Sequence, residues 1–346
     1  MMKRVIAVLL AMVLLCGILP LTVSADVEAA SVDITADFTD PNFRAAVYRV
    51  IKKTAPNAIY DTDVAGVSQI DVNYKSIQSL AGLEHFTALI YLFCSDNQLT
   101  ALPELPAELK IFYCKNNQLT ALPKLPPGVE HFACADNQLT TLPELPTGLK
   151  YLSCEGNQLT TLPELPAGLK NLSCGINQLT MLPKLPAELE GLHCWNNQLT
   201  VLPELPAGLS NLDCNENQLT TLPKLPSELI FLDCNKNQLT ALPKLPPKLR
   251  FLFCTHNQLT ALDVTGLPLV AFSCDYNQIA GKSDVIGFPG TWGSWDGVHF
   301  IFDPQNPAPP SPPAPPSKTI FSTTYESTFW NWIKFIFLFG WIWMWF

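Results

Sequence analysis

The sequence predicts a solenoid of stacked repeats, mostly β, whose core is a column shared by successive units. Three observations predict it. A block of 20 residues is written ten times without insertion between Leu89 and Asn277. Cysteine recurs at 94, 114, 134, 154, 174, 194, 214, 234, 254 and 274, and asparagine stands three places after each, from Asn97 to Asn277. Two prolines follow in most blocks, as in Pro103 and Pro106. A unit this short cannot bury its own apolar face, so stacked neighbours must bury it together.

The first copy runs from Leu89 to Glu108, L-I-Y-L-F-C-S-D-N-Q-L-T-A-L-P-E-L-P-A-E. Tyr91 to Ser95 alternates with period two, which predicts a short strand with Leu92 and Cys94 inward. Such strands stack in parallel along a concave side. Asn97 turns the chain. A buried amide left unpaired costs about 1–3 kcal/mol, so asparagines in register imply a ladder bonded to backbone groups. Leu99, Leu102, Leu105 and Leu109 fill the core from the other side. Pro103 and Pro106 rule out a convex helix, leaving an extended or polyproline-like return arm.

Residues 1–25 read as an export signal. Lys3 and Arg4 precede an apolar core, Val5 to Leu15, and Val23-Ser24-Ala25 offers a small-x-small cleavage site. Residues 26–66 supply an N-terminal helical cap: Asp40 is placed as N-cap and Pro41 as first helical residue. Phe43, Val47, Val50 and Ile51 recur at helical spacing toward Pro56, predicting about fourteen helical residues. Residues 67–280 are the array. Its first unit, Val67 to Phe86, is degenerate: Val67, Ile70, Val72 and Ile77 take framework places, and Lys75 stands where asparagine is expected. In residues 281–303, Phe288, Trp292, Trp295, Phe300 and Phe302 suit a C-terminal cap. Residues 304–318 are a proline-rich linker, a semi-rigid spacer of about 40 Å over its proline run. Residues 319–346 form an aromatic tail. Phe329 to Phe346 is apolar apart from Asn331, Lys334 and Gly340, at the short limit for a membrane span, and its tryptophans suit a bilayer interface. Membrane association through this tail is expected, ahead of self-assembly or packing onto the cap.

An exported chain with ten regularly spaced cysteines leaves three readings: buried free thiols, disulfides between neighbouring rungs, or metal ligation. Stacked strands lie about 4.8 Å apart, whereas relaxed disulfides hold Cβ atoms about 3.8 Å apart. No rung supplies a consistent second metal ligand. The spacing therefore favours buried thiols acting as small hydrophobes.

The pattern L-x-x-L-x-C-x-x-N-Q-L-T-x-L-P-x-L-P-x-x resembles the bacterial short leucine-rich repeats with L-P-x-L-P arms. Secreted effectors of enteric pathogens carry such repeats, and internalin-like surface proteins carry related ones. The match is close over Leu89 to Gln278 and loose over Val67 to Phe86. The resemblance implies a leucine-rich repeat solenoid of the α/β class, mostly β, and protein or glycan binding in general. Some effector relatives add a ubiquitin-ligase domain with a catalytic cysteine. Here the last cysteine, Cys274, lies inside the array and too few residues follow it.

Composition narrows the function further. A formal net charge of −9 with no basic stripe argues against a nucleic-acid partner. His85, His131, His193, His256 and His299 show no metal-ligand spacing, and no nucleophile elbow occurs. Neither an enzyme nor a cofactor is expected. The variable strand positions are informative instead, because they face outward while the framework stays constant. Tyr91, Phe93, Ile111 and Tyr113 form one apolar cluster, and Phe231, Phe251 and Phe253 another. His193 and Trp195 lie between them, beside Asp213 and Asp233. Two carboxylates fall short of the roughly six to eight oxygens calcium requires. Exposed aromatics on a rigid sheet mark interfaces; the competing use is cross-strand packing or cover under the caps. The expectation is an exported surface protein binding a protein or glycan on its concave face, with a structural spacer role as the alternative.

Overall fold

The computed structural model describes residues 31–288 and 300–305. The export signal, Trp292 and Trp295, the linker beyond Gln305 and the aromatic tail lie outside the described residues. Among the described residues no helix is long and apolar enough to cross a membrane.

The array is a parallel solenoid. Its strands are β1 (Gln69–Asp71), β2 (Tyr91–Phe93), β3 (Ile111–Tyr113), β4 (His131–Ala133), β5 (Tyr151–Ser153), β6 (Asn171–Ser173) and β7 (Gly191–His193). They continue as β8 (Asn211–Asp213), β9 (Phe231–Asp233), β10 (Phe251–Phe253), β11 (Leu262–Asp263), β12 (Ala271–Ser273), β13 (Val285–Ile286) and β14 (Phe300–Ile301). Twelve of them form one sheet in the order β1 to β10, then β12 and β14. From β2 to β10 each strand pairs with the one 20 residues later, so Leu92 faces Phe112 and Leu152 faces Leu172. Between β1 and β2 the step is 22, with Ile70 opposite Leu92, matching the two extra residues of the degenerate unit.

Burial follows the predicted columns. Leu92, Cys94, Leu99 and Leu109 and their equivalents are buried throughout. Phenylalanine replaces leucine at 112, 132 and 272, and the rings of Phe112 and Phe132 stack with centroids 5.4 Å apart. The arms are extended, without helices, and a turn bond from the Leu109 N–H to the Pro106 carbonyl returns each arm to the sheet. Leu102 and Leu105 are only partly buried, because the arm is a single layer with solvent behind it.

Each asparagine is bonded into two rungs. The Asn157 amide nitrogen donates to the carbonyls of Cys134 (3.0 Å), Cys154 (3.1 Å) and Glu155 (3.2 Å), and its oxygen accepts from the Leu139 N–H (3.0 Å). The pattern repeats from Asn117 to Asn277. It is made possible by the residue before each asparagine, which takes a left-handed backbone at Asp96, Asn116, Asp136, Gly156, Ile176, Asn196, Glu216, Lys236, His256 and Tyr276. A β-branched residue is strained there, and Ile176 holds φ 48°. Ile176→Asn, which restores the residue found at 116 and 196, is expected to stabilise the chain by roughly 1 kcal/mol. A midpoint in urea unchanged from that of the parent would contradict the strain.

All ten array cysteines are free and buried. Burial pushes every thiol far above neutrality. The thiolate is the reactive form, so the folded chain is expected to leave the ladder untouched by a thiol reagent, whereas denaturation without reductant releases all ten. Fewer than ten titrating in denaturant would mean rungs are cross-linked.

The caps use the same chemistry as the rungs. Helix α1 (Pro41–Val50) is shorter than the sequence suggested. Lys52, at φ 56°, closes it, with the Lys53 N–H reaching back to the Tyr48 carbonyl. A second helix, α2 (Asp61–Val64), follows. Asp40 accepts from the N–H groups of Asn42 and Phe43 at the helix start and from Gln78 and Ser79 in the first arm. Burial works against its charge, but those four donors outweigh it and hold the carboxyl below its usual range. At the other end Gln305 replaces the asparagine of an eleventh rung. Its amide donates to the Cys274 carbonyl (3.0 Å) and accepts from the Asn277 N–H (3.2 Å). Rung-like bonding therefore continues two residues past Asp303, where the sequence suggested the cap ended. Phe272, Phe288 and Phe300 pack beneath it.

Asp275 lies under this cap with its Oδ1 buried and unpartnered among the described residues, and burial pushes its carboxyl up to about 6. The folded carboxyl keeps a proton through the window between 3.8, its ordinary value, and about 6, where the unfolded one loses it. This group's contribution to stability is therefore greatest at the acid end of the window, falls as pH rises through it, and is least above about 6. Hydrogen exchange of the Cys274 amide, bonded to Ile301, is expected to be slower at pH 5 than at pH 7, relative to exchange elsewhere in the array. Asp275→Asn is expected to remove that difference, and its persistence would assign it to another group.

Candidate binding surface on the strand face

Three outward columns run along the sheet, one on each side of the inward leucine and cysteine positions and one between them. The first holds Tyr91, Phe231 and Phe251, the middle one Phe93, Tyr113, His193, Asp213, Asp233 and Phe253, and the third Trp195. In-register stacking brings the expected neighbours together. Phe93 and Tyr113 meet edge to face at 5.4 Å, and Phe231 lies 6.3 Å from Phe251 and 5.8 Å from Phe253. His193 stands opposite Asp213, and Asp213 opposite Asp233.

Exposure is less uniform than the sequence suggested. Tyr91 is 37% exposed, and Phe93, Tyr113, His193, Trp195, Phe231 and Phe251 are half-buried. Phe253 is only 3% exposed, Asp213 3% and Asp233 5%. The expectation that these three stand open on the surface is therefore corrected. The middle column is flanked by an outward column on each side, and Ala133, Ser173 and Ser273 in it are buried too. The two carboxylates are used internally. Asp213 accepts from the Asn215 amide at 2.5 Å, and Asp233 from the Asn235 N–H at 3.1 Å. Among the described residues no group of three or more histidine, cysteine or acidic side chains is arranged to hold a metal ion.

The centre of the sheet is built differently from its ends. Trp195 lies flat on the backbone of Gly175, one rung earlier: a Cβ at Gly175 would come within 2.5 Å of the indole Nε1. Asn171 lies over Gly191, where a Cβ would come within 2.6 Å of its Oδ1. Glycine at these two positions makes room for both side chains, with His193 between them. Ser173 donates to Glu155 at 2.9 Å at the edge of the same area.

A fourth column is not evident from strand alternation. The left-handed residues, from Asp96 to Tyr276, form a ridge beside the sheet. Asn116 bonds Asp96 at 2.7 Å, Lys236 pairs with Glu216 at 2.5 Å, and His256 stacks on Tyr276 at 4.2 Å. The signal for it in the sequence is the second variable position of C-x-x-N, which varies as freely as the strand columns. Burial, with Lys236 nearby, holds His256 below its usual range, favouring the neutral ring in the stack.

The near-constant inward columns, asparagine ladder and helix-free arms define the class: a leucine-rich repeat solenoid. Among solved structures it is similar to the functional domain of InlJ from Listeria monocytogenes, described as including a cysteine ladder. That match has 30% identity and a TM-score of 0.64, over 72% of this chain and 58% of that one. YopM, a leucine-rich effector protein from Yersinia pestis, matches at 32% identity and a TM-score of 0.54, over 61% of this chain and 72% of its own. An internalin, InlF, from Listeria monocytogenes shares the fold at 15% identity and a TM-score of 0.54, over 78% of this chain and 97% of its own. No protein-family model matches the chain, and no curated protein matches it significantly by sequence. The chain belongs to the leucine-rich repeat family of internalin and YopM type. It spans little more than half of the InlJ domain it matches.

Proposed function

We propose that the chain is an exported cell-surface protein that binds a protein or glycan on its concave face. One observation carries this reading: the outward columns change residue from rung to rung, while the leucine, cysteine and asparagine columns barely change. A spacer has no need of Tyr91, Phe93, Tyr113, His193 and Trp195 at partly open positions on a rigid sheet. Desolvating aromatics of this kind supplies most of the energy at interfaces. The role is binding rather than catalysis. The net charge of −9 disfavours nucleic acid as the partner. Residues 1–25 would direct export, and residues 319–346 would hold the protein at the membrane, with residues 304–318 as a stalk.

The test uses the full chain and its Tyr91→Ser, Trp195→Ser double variant. Both are applied to host mucin, to matrix proteins and to the producing cell's wall fraction. Saturable binding that the variant loses, with its unfolding unchanged, supports the reading. Binding the variant retains, or association of the chain only with itself, would place the array among structural envelope proteins. Fractionation tests the anchoring: deletion of residues 319–346 is expected to move the protein from the membrane fraction to the medium.

A further inference from the structure

We infer that the concave face takes a neutral saccharide chain at its centre, across β5 to β8, with Trp195 as the stacking plate. The inference rests on the concave-face reading above and adds the ligand class and the location. Its first support is the plate itself. Because Gly175 lacks a side chain, the indole of Trp195 lies down on the preceding rung. It remains partly accessible. An aromatic ring laid against the neighbouring rung is matched by the apolar C–H face of a sugar ring. A protein anchor, by contrast, calls for a pocket to fill.

The second support is the chemistry around the plate. Asn171 over Gly191, His193 between them and Glu155 on the far side offer amide, imidazole and carboxylate groups that both donate to and accept from hydroxyls. At the ends of the sheet aromatics pack on aromatics, as Phe93 does on Tyr113 and Phe231 on Phe251. The centre combines one plate with several hydrogen-bonding groups.

Charge selects among saccharides. Glu155 and Asp213 bring negative charge to this stretch, while the nearby cations Lys150 and Lys170 are paired with Glu130 and Glu190. Sulfated or sialylated chains meet repulsion that these paired cations do little to offset. Three inter-strand steps of about 4.8 Å make the site roughly 14 Å long, enough for a short oligosaccharide.

The test immobilises neutral oligosaccharides of hexose and N-acetylhexosamine, with sulfated and sialylated counterparts, and measures binding of the full chain. Saturable binding to neutral probes, weaker on the acidic ones, is expected. Trp195→Ala and Gly175→Ala should each bind roughly 30-fold more weakly, the loss a central aromatic anchor carries. Gly175→Ala removes no polar group and only dislodges the plate, and protection of the buried thiols reports whether it still folds. Trp195→Phe, which keeps a flat ring, should stay within about fivefold of the parent. Lys224→Ala, exposed on a return arm, should leave saccharide binding unchanged. No neutral probe bound, with a protein ligand captured through Trp195, would overturn the saccharide assignment and keep the concave-face reading. Binding lost in Tyr91→Ser but not in Trp195→Ala would overturn the location. If no concave variant alters any binding, the concave-face reading itself fails.

Discussion

Asn157→Ala is expected to destabilise the array by about 3 kcal/mol or more, far beyond an ordinary surface substitution. The side chain is buried, and its removal leaves the Leu139 N–H, inside the core, with no acceptor. The Cys134 and Cys154 carbonyls each lose one of their two asparagine donors. The methyl of alanine restores none of these bonds. The cost should fall on one place. In a solenoid each rung is held only by its neighbours, so weakening the contact between β4 and β5 separates an N-terminal block from a C-terminal one. Urea unfolding should show an earlier, broader transition with a lower apparent m-value, and hydrogen exchange should accelerate around Gln138 and Asn157. A uniform shift of one sharp transition would show that the rungs melt together regardless of the ladder.

Leu172→Ala is expected to cost about 3–4 kcal/mol, within the range for deleting a buried leucine where the surroundings cannot collapse. Leu172 is fully buried between Leu152 and Leu192 in register. Collapse is resisted because hydrogen bonds on both sides fix the rung spacing, and the flanking Cys174 and Leu169 are themselves fully buried. The arm position gives the contrast. Leu162→Ala should cost less than half as much, since Leu162 is only partly buried and solvent already reaches the arm. Similar losses at both sites would mean that the arms carry as much of the core as the strands.

The ladder, the leucine columns and the helix-free arms are legible in the amino-acid sequence because a 20-residue step repeats each demand ten times. Leu92, Cys94, Asn97 and Pro103 each have successors at the same step, so a misassigned position at one rung stands out against the rest. The caps are less legible because each occurs once. Asp40 as helix cap follows from its local sequence, but its second pair of donors, Gln78 and Ser79, lies 38 and 39 residues away. Gln305 reads as part of a proline-rich linker, since nothing local marks it as the acceptor and donor that Asn277 and Cys274 require.

The strand face divides along the same line. Alternation alone determined that Tyr91, Phe93 and Trp195 point away from the core, because side chains of a strand point to opposite faces by turns. It could not determine which of them remain open. That Phe253, Asp213 and Asp233 are covered, and that Trp195 lies down on Gly175, depends on what the fold places beside each of them. Sequence therefore set the direction of each side chain through backbone geometry. Tertiary structure alone set its exposure, because exposure is a property of what stands beside a residue in space.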